Sequence, residues 1–154
     1  MAFATNGGLY VVNWKKPFDG SDLIIDWVND SCKIALYTNS IATMSFSTDT
    51  GIGSAPYTSN EVTGTGYTAG GVVLASKAVT ESPTGSIMFD AADSAWTTAT
   101  ISAIRGGVVW DDTATTPPDP VLCAINFGAD YAVTAGTLTL QYASTGLWAF
   151  DITP

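Results

Sequence analysis

The chain contains no histidine among its 154 residues, and that absence removes the usual general base, the commonest zinc ligand and every Ser-His or Cys-His nucleophile arrangement. Cations are scarce as well. Five Lys and Arg face fourteen Asp and Glu, giving a formal charge of -9, and Lys15 and Lys16 are the only adjacent pair. A nucleic-acid groove needs phosphate-neutralising side chains and an anionic bilayer needs a basic patch, so neither nucleic acid nor membrane is expected as a partner. No run approaches the roughly 18 apolar residues of a membrane span, and MAFATNGG lacks the pattern of a secretory leader, so the chain reads as made and used without secretion. The glycosylation sequon Asn29-Asp30-Ser31 then carries no meaning. Only two cysteines occur, Cys32 and Cys123, far apart and each beside strand-like sequence; two buried free thiols are expected.

Charged residues make up 12% of the chain, about half the usual share, whereas hydrophobic residues make up 46%. Thr, Ser, Gly and Ala must therefore cover the surface, and an exterior so weakly charged is expected to be buried in part against copies of itself or a larger partner. At this length one domain can bury its own core without metal or disulfide.

The stretch from Ala95 to Asp112 organises the rest. Thr98 to Ile104 alternates, with Ile101 and Ala103 as its apolar set, then Gly106 and Gly107 interrupt before Val108, Val109 and Trp110 resume. A glycine pair in a strand marks a bulge or a close approach by other backbone, so a central strand turned between two surfaces is expected. Arg105, the single arginine, needs a carboxylate or carbonyl partner if that bend buries it.

Residues 1–20 read as an N-terminal arm, with Asn6, Gly7 and Gly8 giving it freedom, followed by a first strand from Leu9 to Trp14; residues 21–154 read as one domain. Ser21 or Asp22 is placed to cap a short helix carrying Leu23, Ile24, Trp27 and Val28. Lys33 to Thr38 returns to alternation. Asn39 to Asn60 is a long loop of the kind that is functional or draped over a partner. Further strands are expected over Val72 to Val79, Ser86 to Asp90, Val121 to Phe127, Thr137 to Tyr142 and Leu147 to Ile152, with turns at Ser82 to Gly85, at Gly128 and Asp130, and at Ser144 to Gly146. About eight short strands with one small helix define an all-β protein, a single jelly-roll-like β-sandwich with one short helix near the N-terminus.

Chemistry-bearing groups are few. The carboxylate pairs Asp90 with Asp93 and Asp111 with Asp112 could bind calcium or act as acid and base, but each lies where alternation stops, as Asx turns do. A metal-assisted hydrolase built on them is the weakest of the functional readings, because no spacing requires it. Gly64 to Gly71 lacks the Gly-Lys-Ser/Thr ending of a phosphate loop and precedes a strand. Tyr57, Tyr67 and the five Trp are the candidates for a sugar-stacking platform, set against the commoner use of aromatics in core or interface. No catalytic residue, cofactor or metal site is assigned, and the chain is read as non-enzymatic.

The run NEVTGTGYTAGG, Asn60 to Gly71, resembles a Glu-Val-x-Gly-x-Gly-Tyr-x-Ala-Gly-Gly pattern in a group of tailed-bacteriophage virion proteins. The resemblance continues through the Asp-rich turn, Trp and Ala-Thr-Ile-x-Ala of Phe89 to Asp112, through Ile125-Asn126-Phe127-Gly128, and through Thr134 to Ile152, covering the chain from about Asp22. It departs at Gly106 and Gly107, where members carry larger residues. The resemblance implies a structural role in head decoration, cement or head fibre, with no enzymatic residues to transfer. A cement protein on the outer surface of the capsid, with the major capsid protein as partner and a homotrimer as assembly, is the leading expectation; a head-fibre or tail module binding host glycan through Tyr57 and Tyr67 is the alternative. Met1, Ala2, Phe3, Ala4, Thr5 and Asn6, with the loop from Asn39 to Asn60, are the capsid-contact candidates. Deleting Met1 to Gly8 is expected to leave the fold intact.

Overall fold

A computed structural model describes residues 3–4, 7–81 and 85–151. Met1, Ala2, Thr5 and Asn6 of the arm, Ser82 to Thr84 of one expected turn, and Ile152 of the last expected strand lie outside the described residues. The chain is all-β and sandwich-like, with two antiparallel sheets and a short helical stretch near the N-terminus. The larger sheet runs β1 (Gly8–Leu9), β8 (Val121–Leu140), β7 (Ser94–Asp111), β2 (Cys32–Tyr37), β4 (Val72–Val73), with β3 (Gly64–Thr65) added to β7. The smaller is β5 (Ala78–Glu81), β6 (Ile87–Asp90), β9 (Trp148–Phe150).

β7 is the central strand that the sequence predicts, and β8 lies against its full length. Their ladder is not regular. Thr98, Ala103 and Ala135 have φ of 53°, 56° and 48°, and at each the pairing gains one residue on one side, a β-bulge. Each bulge turns two successive residues outward (Thr97 and Thr98, Ser102 and Ala103, Thr134 and Ala135), so the inward side chains fall at Trp96, Ala99, Ile101 and Ile104. Ala103, expected inward with Ile101, is exposed, and the change of face begins there, ahead of the glycines. Gly106 and Gly107 answer a different need. A Cβ on Gly106 would come within 2.5 Å of the Phe3 ring and of the Ile125 carbonyl oxygen, and one on Gly107 within 2.8 Å of Ile34 Cδ1. Both faces of the sheet are covered here.

Two hydrophobic clusters result. Ile34, Leu36, Ile104, Val109 and Leu122 pack toward the small sheet through Trp14, Trp27, Phe89 and Trp148. Ala35, Tyr37, Val108, Trp110 and Ala124, on the other face, are covered by Phe3, Tyr10, Ile41, Met44 and Tyr57. The long loop is therefore spent on its own sheet, where the Tyr57 hydroxyl is hydrogen-bonded to Tyr10 Oη (2.6 Å) and Asp49 Oδ2 (2.8 Å).

Three expected elements differ. The helix is not at 21–28 but at α1 (Val11–Trp14), within the residues read as a strand, and at α2 (Lys16–Asp19), just after them. Asn13 Nδ2 donates to the Thr50 and Val121 carbonyls (2.7 and 2.8 Å) and Trp14 Nε1 to that of Leu122 (2.9 Å), partners an extended Val11–Trp14 would not reach together. Val121–Phe127 and Thr137–Tyr142 are not separate strands, because β8 runs on through Gly128 and Asp130 as a bulge of three extra residues opposite Ile104–Gly106. Arg105 braces that bulge, with Nε 2.6 Å from Asp130 Oδ1 and Nη1 donating to the Gly128 carbonyl at 3.0 Å. Finally, Val72–Val79 divides into β4 of one sheet and β5 of the other.

Candidate functional site

The run from Glu61 to Gly71 is the most elaborately bonded segment. Glu61 Oε1 accepts from Tyr67 Oη and from the Gly70 N–H, each at 2.6 Å. Tyr67 Oη in turn accepts the Leu36 N–H at 2.9 Å, and its ring stacks on Trp96. Val62, buried, donates its N–H to the Leu36 carbonyl, Gly64–Thr65 pairs with Thr100 and Ile101, and the Gly70 carbonyl accepts Trp110 Nε1 at 3.0 Å. Tyr67 is held up well above the ordinary tyrosine range, chiefly by burial and then by its bond to Glu61. The carboxylate, the hydroxyl and the glycines are thus all engaged in holding a loop against β2 and β7.

The glycan candidates do not form a platform. Tyr57 is 2% exposed and belongs to the second cluster, and Tyr67 is half-buried with its hydroxyl committed. Of the capsid-contact candidates, Phe3 is a core residue at 2% exposure, because its ring fills the space that Gly106 leaves open. The Ala4 carbonyl accepts Asn126 Nδ2 at 2.7 Å, and Gly8–Leu9 pairs with Cys123 and Ala124. The described part of the arm is built into the domain.

Asp93 and Asp111 cap backbone N–H groups, and Asp112 forms an ion pair. Asp93 Oδ1 accepts the Tyr142 N–H, and Asp112 pairs with Lys33 at 2.7 Å. Asp111 is fully buried at the end of β7, where its Oδ1 accepts the N–H groups of Thr113 (2.8 Å) and Ala114 (3.3 Å) in the expected Asx turn. Its Oδ2 is buried and meets no donor, and the Asp30 carboxyl lies nearby. Burial pushes the Asp111 carboxyl up from 3.8 to about 6, and the nearby Asp30 adds to the rise against the pull of the two backbone donors. Among the described residues no three His, Cys, Asp or Glu side chains converge as a metal site would require.

A folded-state pKa above the unfolded one means that the native chain holds a proton the unfolded chain has released. Stability contributed by that proton is present below about pH 4 and is lost as pH rises through about 6. Asp111→Asn keeps the acceptor for Thr113 and Ala114 and offers Asp30 a donor. It is expected to raise stability at pH 7.5 by on the order of 2 kcal/mol and to change little at pH 4. Urea midpoints at the two pH values check this; an equal effect at both would show that Asp111 does not titrate in this window.

Cys32 and Cys123 are free and buried, on the two strands that flank β7. Two ladder spacings and an offset of two residues along β7 put them more than about 10 Å apart, beyond disulfide reach. Burial pushes both thiols up to about 12, which keeps them protonated and unreactive.

An apolar hollow of about 370 Å3 is walled by Phe127, Tyr131 and Tyr142 over Ile104 and Leu140. The β8 bulge creates it by lifting Phe127 and Tyr131, which meet edge to face with centroids 6.4 Å apart. None of its residues is among the candidates read from sequence. They come from three separated stretches, and only Phe127-Gly128, with Gly at φ 79°, hinted at a local break. Compared with protein-family models, with curated proteins and with solved structures, the chain matches none.

Proposed function

We propose that the chain is a non-enzymatic structural protein of a tailed-bacteriophage virion, a decoration or cement protein seated on the outer surface of the head and bound to the major capsid protein across capsomer contacts. The observation that carries this reading is the Glu61–Gly71 run, the most distinctive part of the resemblance, whose bonding groups are occupied in bracing the sheet rather than presented to a substrate. A surface with few charges supports it further, since many weak neutral contacts on a lattice add through effective concentration. Phe3 contributes to this function through the fold, and the described residues of the Asn39–Asn60 loop cover the protein's own core on one side, leaving their outer side for the shell.

Mixing the purified protein with undecorated capsid shells and pelleting them tests this. Saturable co-sedimentation at a fixed ratio to the capsid subunit is the expected result. Protein that remains in the supernatant at tens of micromolar, a concentration at which even about 6–7 kcal/mol of binding would show, contradicts it.

A further inference from the structure

Phe18 is 80% exposed, the most exposed large apolar side chain among the described residues. It stands on the single turn of α2, between Pro17 and a Gly20 at φ 80°, with no buried neighbour on that turn. Beside it are Lys15 and Lys16, the only adjacent cations of the chain. Lys15 lies 3.9 Å from Asp19, which leaves Lys16 as the free charge of the pair among the described ion pairs. The hollow under Phe127, Tyr131 and Tyr142 has the opposite character. Asp130 precedes Tyr131 and is matched by Arg105, whereas Asp93, exposed and bonded to the Tyr142 N–H, has no cation among the described ion pairs.

We propose that Phe18 of one copy of this chain seats in the hollow of a second copy, with Lys16 brought beside Asp93. An apolar cavity of roughly 150 Å3 already takes up benzene, so the hollow has room for a phenyl ring and its stem. The charge balance selects a second copy as occupant. With fourteen acidic and five basic side chains, most pairs of surfaces of this molecule repel one another, and this pairing joins its basic knob to an acidic rim over an apolar centre. Knob and hollow are different surfaces, so the contact is heterologous, the kind that closes into a ring when the rotation allows. The contact does not rest on the virion reading.

Lys15→Cys and Ala132→Cys each place one accessible thiol beside the knob and the hollow rather than in them, on a chain whose own cysteines are buried and at positions exposed enough for the fold to tolerate the change. Treated with a short bis-maleimide, a mixture of the two variants is expected to give at least tenfold more cross-linked dimer than either variant alone. Equal yields in all three samples overturn the contact. Sedimentation velocity gives a second readout. The wild-type chain is expected to associate with rising concentration and Phe18→Ser to weaken that association at least tenfold; a wild-type chain that stays monomeric, or a Phe18→Ser variant that associates equally well, overturns it. A monomer that still decorates capsid shells would remove this contact and leave the capsid reading standing, and an oligomer that ignores shells would do the reverse.

Discussion

Gly71→Ala is expected to prevent folding, or to cost more than about 4 kcal/mol if a folded fraction survives. Gly71 has a φ of 84°, a left-handed conformation that disfavours any Cβ, and the added carbon would overlap the carbonyl oxygen of Ile34. Neither side can yield. Ile34 is fully buried in β2, paired to Val109 of β7 on one side and Val72 of β4 on the other, so moving its carbonyl breaks the middle of the larger sheet. On the other side the chain is fixed at once, since Gly70 is held by Glu61 and Trp110 and the Leu74 N–H bonds the Cys32 carbonyl. Gly53→Ala serves as the control, because nothing lies within 4 Å of its Cβ position and its φ is not left-handed; it is expected to leave the urea midpoint unchanged within about 0.5 kcal/mol. A Gly71→Ala chain as stable as wild type would show that the Glu61–Gly71 loop does not brace the sheet.

The second large effect concerns the N-terminal arm. Phe3→Ala is expected to cost about 3–4 kcal/mol, the usual result of emptying a buried aromatic site, here one formed by the bare face of Gly106. Removing residues 1–8 loses that ring together with the Ala4 carbonyl's bond to Asn126 and half of β1, and is expected to destabilise at least as much. The arm therefore does not behave as a dispensable extension. Thermal or urea unfolding of both variants checks this; a truncated chain with the wild-type midpoint would show that the arm contributes nothing to the fold and would return it to the role of a free gripping segment.

The all-β class, the central position of β7, the partners of Arg105 and the free thiols are legible because each follows from local pattern or from a buried group's need for a partner. Alternation was clearest at Leu138, Leu140 and Tyr142, which are indeed half-buried while Thr137, Thr139 and Gln141 face out. Where the reading departed, longer-range contacts had overridden local preference. Leu23 and Trp27 sit inward as expected, but Ile24 and Val28 are exposed and no helix forms there, whereas the β-branched Val11-Val12 is helical because Asn13 and Trp14 reach three carbonyls of other segments. A spacing of three between Trp96 and Ala99, and again between Ile101 and Ile104, is the sequence trace of the bulges, readable once a central strand is allowed to carry them. Tyr57 shows the opposite limit. Nothing local distinguishes an aromatic residue that lids a core from one that offers its face to a ligand, and its burial follows from Tyr10, Tyr37 and Asp49, none of them adjacent in sequence.

The most direct measurement of the proposed virion role is electron microscopy of purified particles of the phage proposed to carry the chain, followed by fitting the two-sheet body with its long β7–β8 hairpin into the density. A decoration protein predicts that density of this shape recurs over the outer surface of the head at lattice positions, in contact with the major capsid protein. Density of this shape only at a vertex or in the tail, or its absence from the particle, would contradict it.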